Sequence, residues 1–210
     1  MVRQAKITDL ASVAKIHMDC FPGTVTSSLG KLWNGRIVVD YYKEYYSDSP
    51  ELFLVAENNS GKVVGFCMGY KFESGNIDKR LIKHHLIKIV IGYFYLLLTG
   101  DKECWRKLKS CLGIGVKIDS KVITLEPKIN QTPNTEKAEL FTIGLYGDYR
   151  GLSYGKDLIL AYFDACKSIN RKYCIISYMK ENIRAERFYY KHGCKAYQEI
   201  GDSKLCYKEL

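Results

Sequence analysis

The sequence predicts an α/β domain: a mixed β-sheet covered by helices, with one inserted segment. Three observations predict it. Hydrophobic patterns alternate between hairpins and strand–helix–strand units. The 210 residues suffice for one well-packed core with an elaboration but not for two enzyme-sized domains. A composition of 47% hydrophobic and 26% charged residues is that of a globular chain, neither collagenous nor disordered.

Val2 to Lys6 is the first strand, followed by Thr8 as an N-cap and by Leu10, Val13, Ala14 and Ile16 at helical spacing, ending near Phe21-Pro22-Gly23. A second helix is expected from Ser27 to Tyr46, with Gly30 and Gly35 as weak points within it. Leu52 to Glu57 and Val63 to Tyr70 are rich in β-formers and flank the turn residues Asn58 to Lys62, which predicts a hairpin. Further on, Glu139 to Leu145 reads as a strand, Ser153 to Ser168 as a helix, Lys172 to Tyr178 as a strand and Ile183 to Lys191 as a helix. Two last strands, Lys195 to Ile200 and Lys204 to Lys208, meet at Gly201-Asp202. There is no internal repeat.

Met1 to Leu10 lacks the apolar run and cleavage site of a secretory signal, so a cytoplasmic location is expected. The eight cysteines lie singly, without a C-x-x-C pair, which fits small buried residues in a reducing compartment and gives no metal-ligand spacing. Of the net charge of +9, the segment 75–137 supplies 12 − 6 = +6, leaving +3 for the rest. A basic surface suits phosphate-bearing ligands or an anionic membrane. No base-reading motif accompanies it, so no specific nucleic-acid partner is expected.

The stretch from Glu139 to Gly155, ELFTIGLYGDYRGLSYG, runs from a buried strand through a turn into a helix. Backbone N–H groups at a helix start lack intrahelical partners, and the helix dipole adds partial positive charge, so such a turn suits a pyrophosphate. Gly151 and Gly155 keep the turn clear of side chains and Arg150 brings a fixed cation. The same glycines would also serve a connection that is merely tight. Neither G-x-G-x-x-G nor G-x-x-x-x-G-K-[ST] occurs in this turn, which removes support for dinucleotide and nucleoside-triphosphate readings. Downstream, Asn182 precedes a helix in which Ala185, Phe188 and Tyr189 recur at helical spacing, a pattern that packing alone would also produce.

These two stretches resemble the GCN5-related N-acetyltransferase family. Its pyrophosphate signature is Arg or Gln, two residues, Gly, one residue, then Gly or Ala; Arg150 and Gly155 occupy the ends, and Ser153 stands where the middle glycine is usual. Asn182 to Cys194 is similar to the family's Asn-x-x-Ala-x-x-aliphatic-Tyr-x-x-x-Gly-Phe pattern, with Phe188 at the aliphatic site and Cys194 at the last. The resemblance covers residues 1–74 and 138–208 in element order and implies a single domain with a sheet that splays beside the strand 139–145. It implies acetyl-CoA as cosubstrate and a primary amine as acceptor. Backbone groups at Ile143, Gly144 and Leu145 would hold the pantetheine arm, and Arg150, Gly151, Leu152, Ser153, Tyr154, Gly155 and Lys156 would surround the pyrophosphate. Asn182 would assist the pantetheine or the helix start. Tyr189 would be the general acid for the departing thiolate. Glu139 would be the base, although a solvated Glu at a strand end is an equal reading, and His17 is another candidate base or substrate ligand. No metal is implied.

Residues 75–137 form an insertion between the third strand and the strand 139–145. Ile82, Leu86, Ile89 and Tyr93 have helical spacing, which predicts at least one hydrophobic helix. The uninterrupted run Ile89 to Leu98 falls short of the ~20 residues that span a bilayer, so no transmembrane segment is expected. A lid over the acceptor site, a homodimer surface and peripheral membrane contact are the three readings. His84-His85 has no ligand set for a metal beside it. The stretch Cys20 to Gly30 is similar to relatives acting on amino sugars, some of them nucleotide-linked. The alternatives are acetylation of a protein or peptide amine and a noncatalytic acyl-CoA-binding module of the same fold.

Overall fold

The structure, a computed structural model, describes residues 1–74, 77–111, 120–122 and 127–210. Its strands are β1 (Val2–Gln4), β2 (Phe53–Glu57), β3 (Val63–Lys71), β4 (Ser120–Val122), β5 (Lys137–Leu145), β6 (Tyr173–Met179), β7 (Lys195–Ile200) and β8 (Ser203–Glu209). They form one mixed sheet in the order β1-β2-β3-β5-β6-β8-β7-β4, in which β5–β6 is parallel and every other pair antiparallel. The β2–β3 hairpin turns where expected. The Asn58 side-chain oxygen accepts the N–H groups of Ser60 and Lys62 at 3.1 and 2.9 Å and so holds the turn.

Helices cover both faces. Helix α7 (Tyr154–Ser168) buries Leu158, Ile159, Tyr162 and Phe163 against one face. On the other face lie α1 (Leu10–Cys20), α2 (Val25–Leu32) and α3 (Arg36–Asp48), whose Val13, Ile16, Val38 and Tyr42 meet Phe53 and Phe66 of the hairpin. Tyr42 and Phe66 are fully enclosed, and truncating such a ring to Ala costs about 3–5 kcal/mol.

The single helix expected over Ser27 to Tyr46 is two. Asn34 and Gly35 both take left-handed backbone, with φ of 50° and 77°, which no α-helix accommodates. The chain therefore ends α2 and restarts as α3. The seven described cysteines are free thiols, and of these only Cys20 is not fully buried.

The insertion leaves β3 and returns to β5 through α4 (Ile77–Leu98), α5 (Lys102–Cys111), β4 and α6 (Pro127–Gln131). It is not purely helical. Strand β4 extends the far edge of the sheet, pairing Lys121 with Glu199 of β7. Arg171 staples the two feet of the insertion together: its guanidinium donates to both Glu73 carboxylate oxygens at 2.8 and 3.0 Å and to the Thr135 carbonyl.

Helix α4 is longer than its apolar run suggested, and it is interrupted at His85, whose φ and ψ of −125° and 21° are not helical. By length and composition alone Lys79–Leu98, with a mean hydropathy of 1.5, matches a membrane span. Its Ile89, Tyr93 and Leu96 nevertheless pack on the α1–α3 core. His84 faces Glu44 at 2.8 Å, and among the described residues no group of His, Cys, Asp and Glu is arranged to hold a metal.

Candidate active site

The sheet opens beside β5. Strands β5 and β6 pair from Lys137↔Tyr173 to Leu140↔Ile176 and then part, although β5 continues to Leu145 and β6 to Met179. A cavity of 1210 Å³ occupies the gap and runs on under α2 and α4. Phe141 to Leu145 form one side of the gap and Ser177 to Met179 the other. A site for one small ligand measures about 300–1,000 Å³, so there is room here for a long ligand and a second molecule. The register of β5 against β3 also slips, from Met68↔Thr142 to Gly69↔Leu140, so Phe141 is an extra residue bulged toward the cavity.

At one end of the gap the chain turns through Gly147–Tyr149 into α7. Gly151 supplies the left-handed backbone of this turn, with φ of 84°, and a β-carbon added there would meet open space. Ser153 is the N-cap residue but has αR backbone (φ −67°, ψ −19°) and makes no side-chain cap hydrogen bond. Serine takes those angles without strain, which explains why it stands where a glycine is usual. The first turn of α7 therefore offers its N–H groups to an anion. Arg150, Gly151, Leu152, Gly155 and Lys156 all line the cavity, whereas Ser153 and Tyr154 are not among its lining residues. Arg150 lies across the gap: Nε donates to the Leu145 carbonyl at 3.0 Å and Nη2 reaches Cys20 Sγ at 3.5 Å. Cys20 Sγ donates to the same carbonyl at 3.1 Å.

Helix α8 (Ile183–Lys191) forms the facing wall. Asn182 caps it, its side-chain oxygen accepting the Ala185 N–H at 3.0 Å, and also lines the cavity. Two turns on, Tyr189 is 6% exposed, wedged between Tyr178 and Phe188 with ring centroids 5.5 Å from each. Burial pushes its phenol well above the ordinary range, so it holds its proton throughout physiological pH. Ile143, Gly144 and Leu145 line the cavity.

The two candidate bases from the sequence reading have different surroundings. Glu139 is not among the cavity-lining residues; its Oε2 accepts a 2.8 Å hydrogen bond from Tyr70, and burial raises its carboxyl pKa against that bond. His17 does line the cavity. Its Nδ1 is 2.7 Å from the Tyr42 hydroxyl, and burial pushes its pKa down to about 4, so the ring is neutral at pH 7. Sequence reasoning missed Phe141, Tyr41 and Tyr178 as cavity residues. Only the bulge reveals Phe141, and a bulge leaves no trace in a hydrophobic pattern.

No family model matches the sequence, and a search of curated proteins finds no match. Solved structures do match over the whole chain. The PaiA N-acetyltransferase from Thermoplasma acidophilum, in complex with coenzyme A, is 16% identical with a TM-score of 0.60, covering 100% of this chain and 98% of that one. Naa20 from Chaetomium thermophilum, in complex with a bisubstrate analogue, is 17% identical with a TM-score of 0.55, covering 100% and 86%. YncA from Salmonella typhimurium, a putative acetyltransferase with its cofactor acetyl-CoA, is 11% identical with a TM-score of 0.54, covering 100% and 93%. At these identities the likeness speaks to architecture alone. The chain has the fold of the GCN5-related N-acetyltransferases.

Proposed function

We propose that the chain transfers an acetyl group from acetyl-CoA to a primary amine by direct attack within a ternary complex. The observation that carries this reading is the parting of β5 and β6 beyond Leu140↔Ile176, which opens onto the uncapped start of α7 with Tyr189 in the opposite wall. Peptide groups of Ile143 to Leu145 are placed to hold an extended amide-bearing arm. The α7 start, with Arg150 and Lys156, is placed to hold its pyrophosphate.

In the reaction the amine nitrogen attacks the thioester carbonyl, the C–N bond forms and the C–S bond breaks. A backbone N–H of β5 stabilises the oxygen charge that develops meanwhile. The departing sulfur takes the Tyr189 proton, and the nitrogen gives its own to Glu139 through water or to neutral His17. No cysteine intermediate is required.

For the acceptor we propose an amino sugar, free or nucleotide-linked. The aromatic residues Tyr41 and Phe141 and the hydroxyl-bearing Thr26 line the same cavity and support a sugar as acceptor. A protein or peptide amine is the competing acceptor.

Calorimetry with acetyl-CoA on the wild type and on Gly151→Asp tests the cofactor site. Aspartate there brings negative charge and a strained left-handed residue into the turn, and binding should weaken about a hundredfold in a variant that is still folded. Equal binding by both proteins removes the proposed pyrophosphate site. Binding without acetyl transfer to any of a panel of amino sugars, peptides and simple amines supports the noncatalytic module instead.

A further inference from the structure

We infer that helix α4 seats this protein on the surface of an anionic lipid bilayer, lying in the plane of the interface. After the break at His85, α4 is apolar on all sides except at Lys88. Ile89, Gly92, Tyr93 and Leu96 are taken up by the domain. The opposite side is left to solvent: Ile87 is 75% exposed, Phe94 64% and Leu98 71%, with Val90, Ile91 and Tyr95 beside them. Trp105 of α5, 43% exposed, adds a ring near the C-terminal end of α4, where its indole N–H donates to the Leu97 carbonyl at 3.1 Å. A contiguous apolar surface of this kind marks an interaction site.

Charge selects the occupant. Arg80 and His84 are engaged by Glu44, and His85 lies 3.6 Å from Asp40 of α3. Lys79, Lys83 and Lys88 of α4 and Lys102 and Lys109 of α5 are exposed, with no ion pair among the described residues. Lys88 is the one charge among the exposed positions from Leu86 to Leu98 and sits at the edge of the apolar strip. Basic groups bordering an apolar helix face are the combination that binds anionic lipid: the face enters the acyl boundary while the lysine stems reach back to the headgroups.

Two features exclude a bilayer span and leave the in-plane arrangement. Lys79, Arg80 and Lys83 occupy the start of the 20-residue stretch Lys79–Leu98, so its apolar part, Leu86 to Leu98, is about 20 Å long at 1.5 Å per residue, against a hydrocarbon core of about 30 Å. Its inner side is also locked to the domain, because Gly92 lies so close to α2 that an added β-carbon would collide with Leu29.

Flotation of the full chain with vesicles of phosphatidylcholine, alone or mixed with phosphatidylglycerol, tests the inference. The wild type should float with the mixed vesicles, less with phosphatidylcholine alone and less at high salt. Ile87→Glu combined with Phe94→Glu, both at exposed positions, should lower the bound fraction about tenfold while circular dichroism and acetyl-CoA binding stay unchanged. Lys83→Glu with Lys88→Glu should remove the preference for the anionic vesicles. A wild type that stays with neither vesicle, or an Ile87/Phe94 variant that floats as well as the wild type, overturns the inference. So does a wild-type dimer in solution that the Ile87/Phe94 variant converts to monomers, because a second copy then covers the face. Acetyl-CoA binding is read separately, so the fate of this surface and that of the proposed activity are distinguishable.

Discussion

The Tyr70 hydroxyl donates a 2.8 Å hydrogen bond to Glu139 Oε2 across the β3–β5 pair, and this bond opposes the burial that raises the carboxyl pKa. If Glu139 takes the amine proton, the acidic limb of kcat/KM lies above the ordinary carboxylate value, since the base works only when ionised. Tyr70→Phe removes the hydrogen bond that stabilises the charged carboxylate and should move that limb further up. A pH profile that does not move in this variant assigns the base elsewhere, with His17 next.

Tyr189→Phe tests the acid. Among the described residues its hydroxyl makes no hydrogen bond, and the ring is held by Tyr178 and Phe188, so the substitution leaves the packing in place. We expect kcat to fall by about 10²-fold or more with acetyl-CoA affinity within about twofold of wild type. Steady-state kinetics beside calorimetry read the two separately. A purely structural Tyr189 would leave kcat unchanged.

His17 gives the fold a pH dependence of its own. Its pKa is pushed down to about 4 by burial against an ordinary 6.5, so the unfolded chain binds the extra proton first. Stability should therefore rise with pH between about 4 and 6.5 and be lost as pH falls through that window, by about 3 kcal/mol from this group. Urea unfolding of the wild type and His17→Gln checks it. The variant should lose that part of the slope while keeping a polar partner for Tyr42. An identical slope in both proteins means that another group carries it.

The hairpin of β2 and β3, helices α7 and α8 and the β7–β8 turn were legible because each is specified locally, by period, cap and turn residues. The α2–α3 break was not, since Gly30 and Gly35 are alike in sequence and only Gly35, paired with Asn34, takes left-handed backbone. Strand β4 escaped because its partner, β7, lies some eighty residues away and three residues carry almost no pattern of their own. At the site, Arg150 and Gly151 stood out from the strand-turn-helix pattern, whereas Tyr189 was singled out only by the family resemblance, since its helical spacing alone suits packing. The direction of Glu139 could not, because the neighbouring bulge at Phe141 resets the alternation of faces along β5. The pairing of His17 with Tyr42 depends on two helices meeting, which neither announces.

The parting of β5 from β6 also bears on how this architecture tolerates sequence drift. A ligand laid along Phe141 to Leu145 is greeted chiefly by amides, which every residue but proline supplies in the same form. Recognition written in the main chain leaves side chains free to change, provided the strands still diverge at the same rung. The three structures named above match it over its full length at 11–17% identity, while no family model and no curated protein matches the sequence. Kinship in such a chain is better sought in where its strands separate than in which letters they carry.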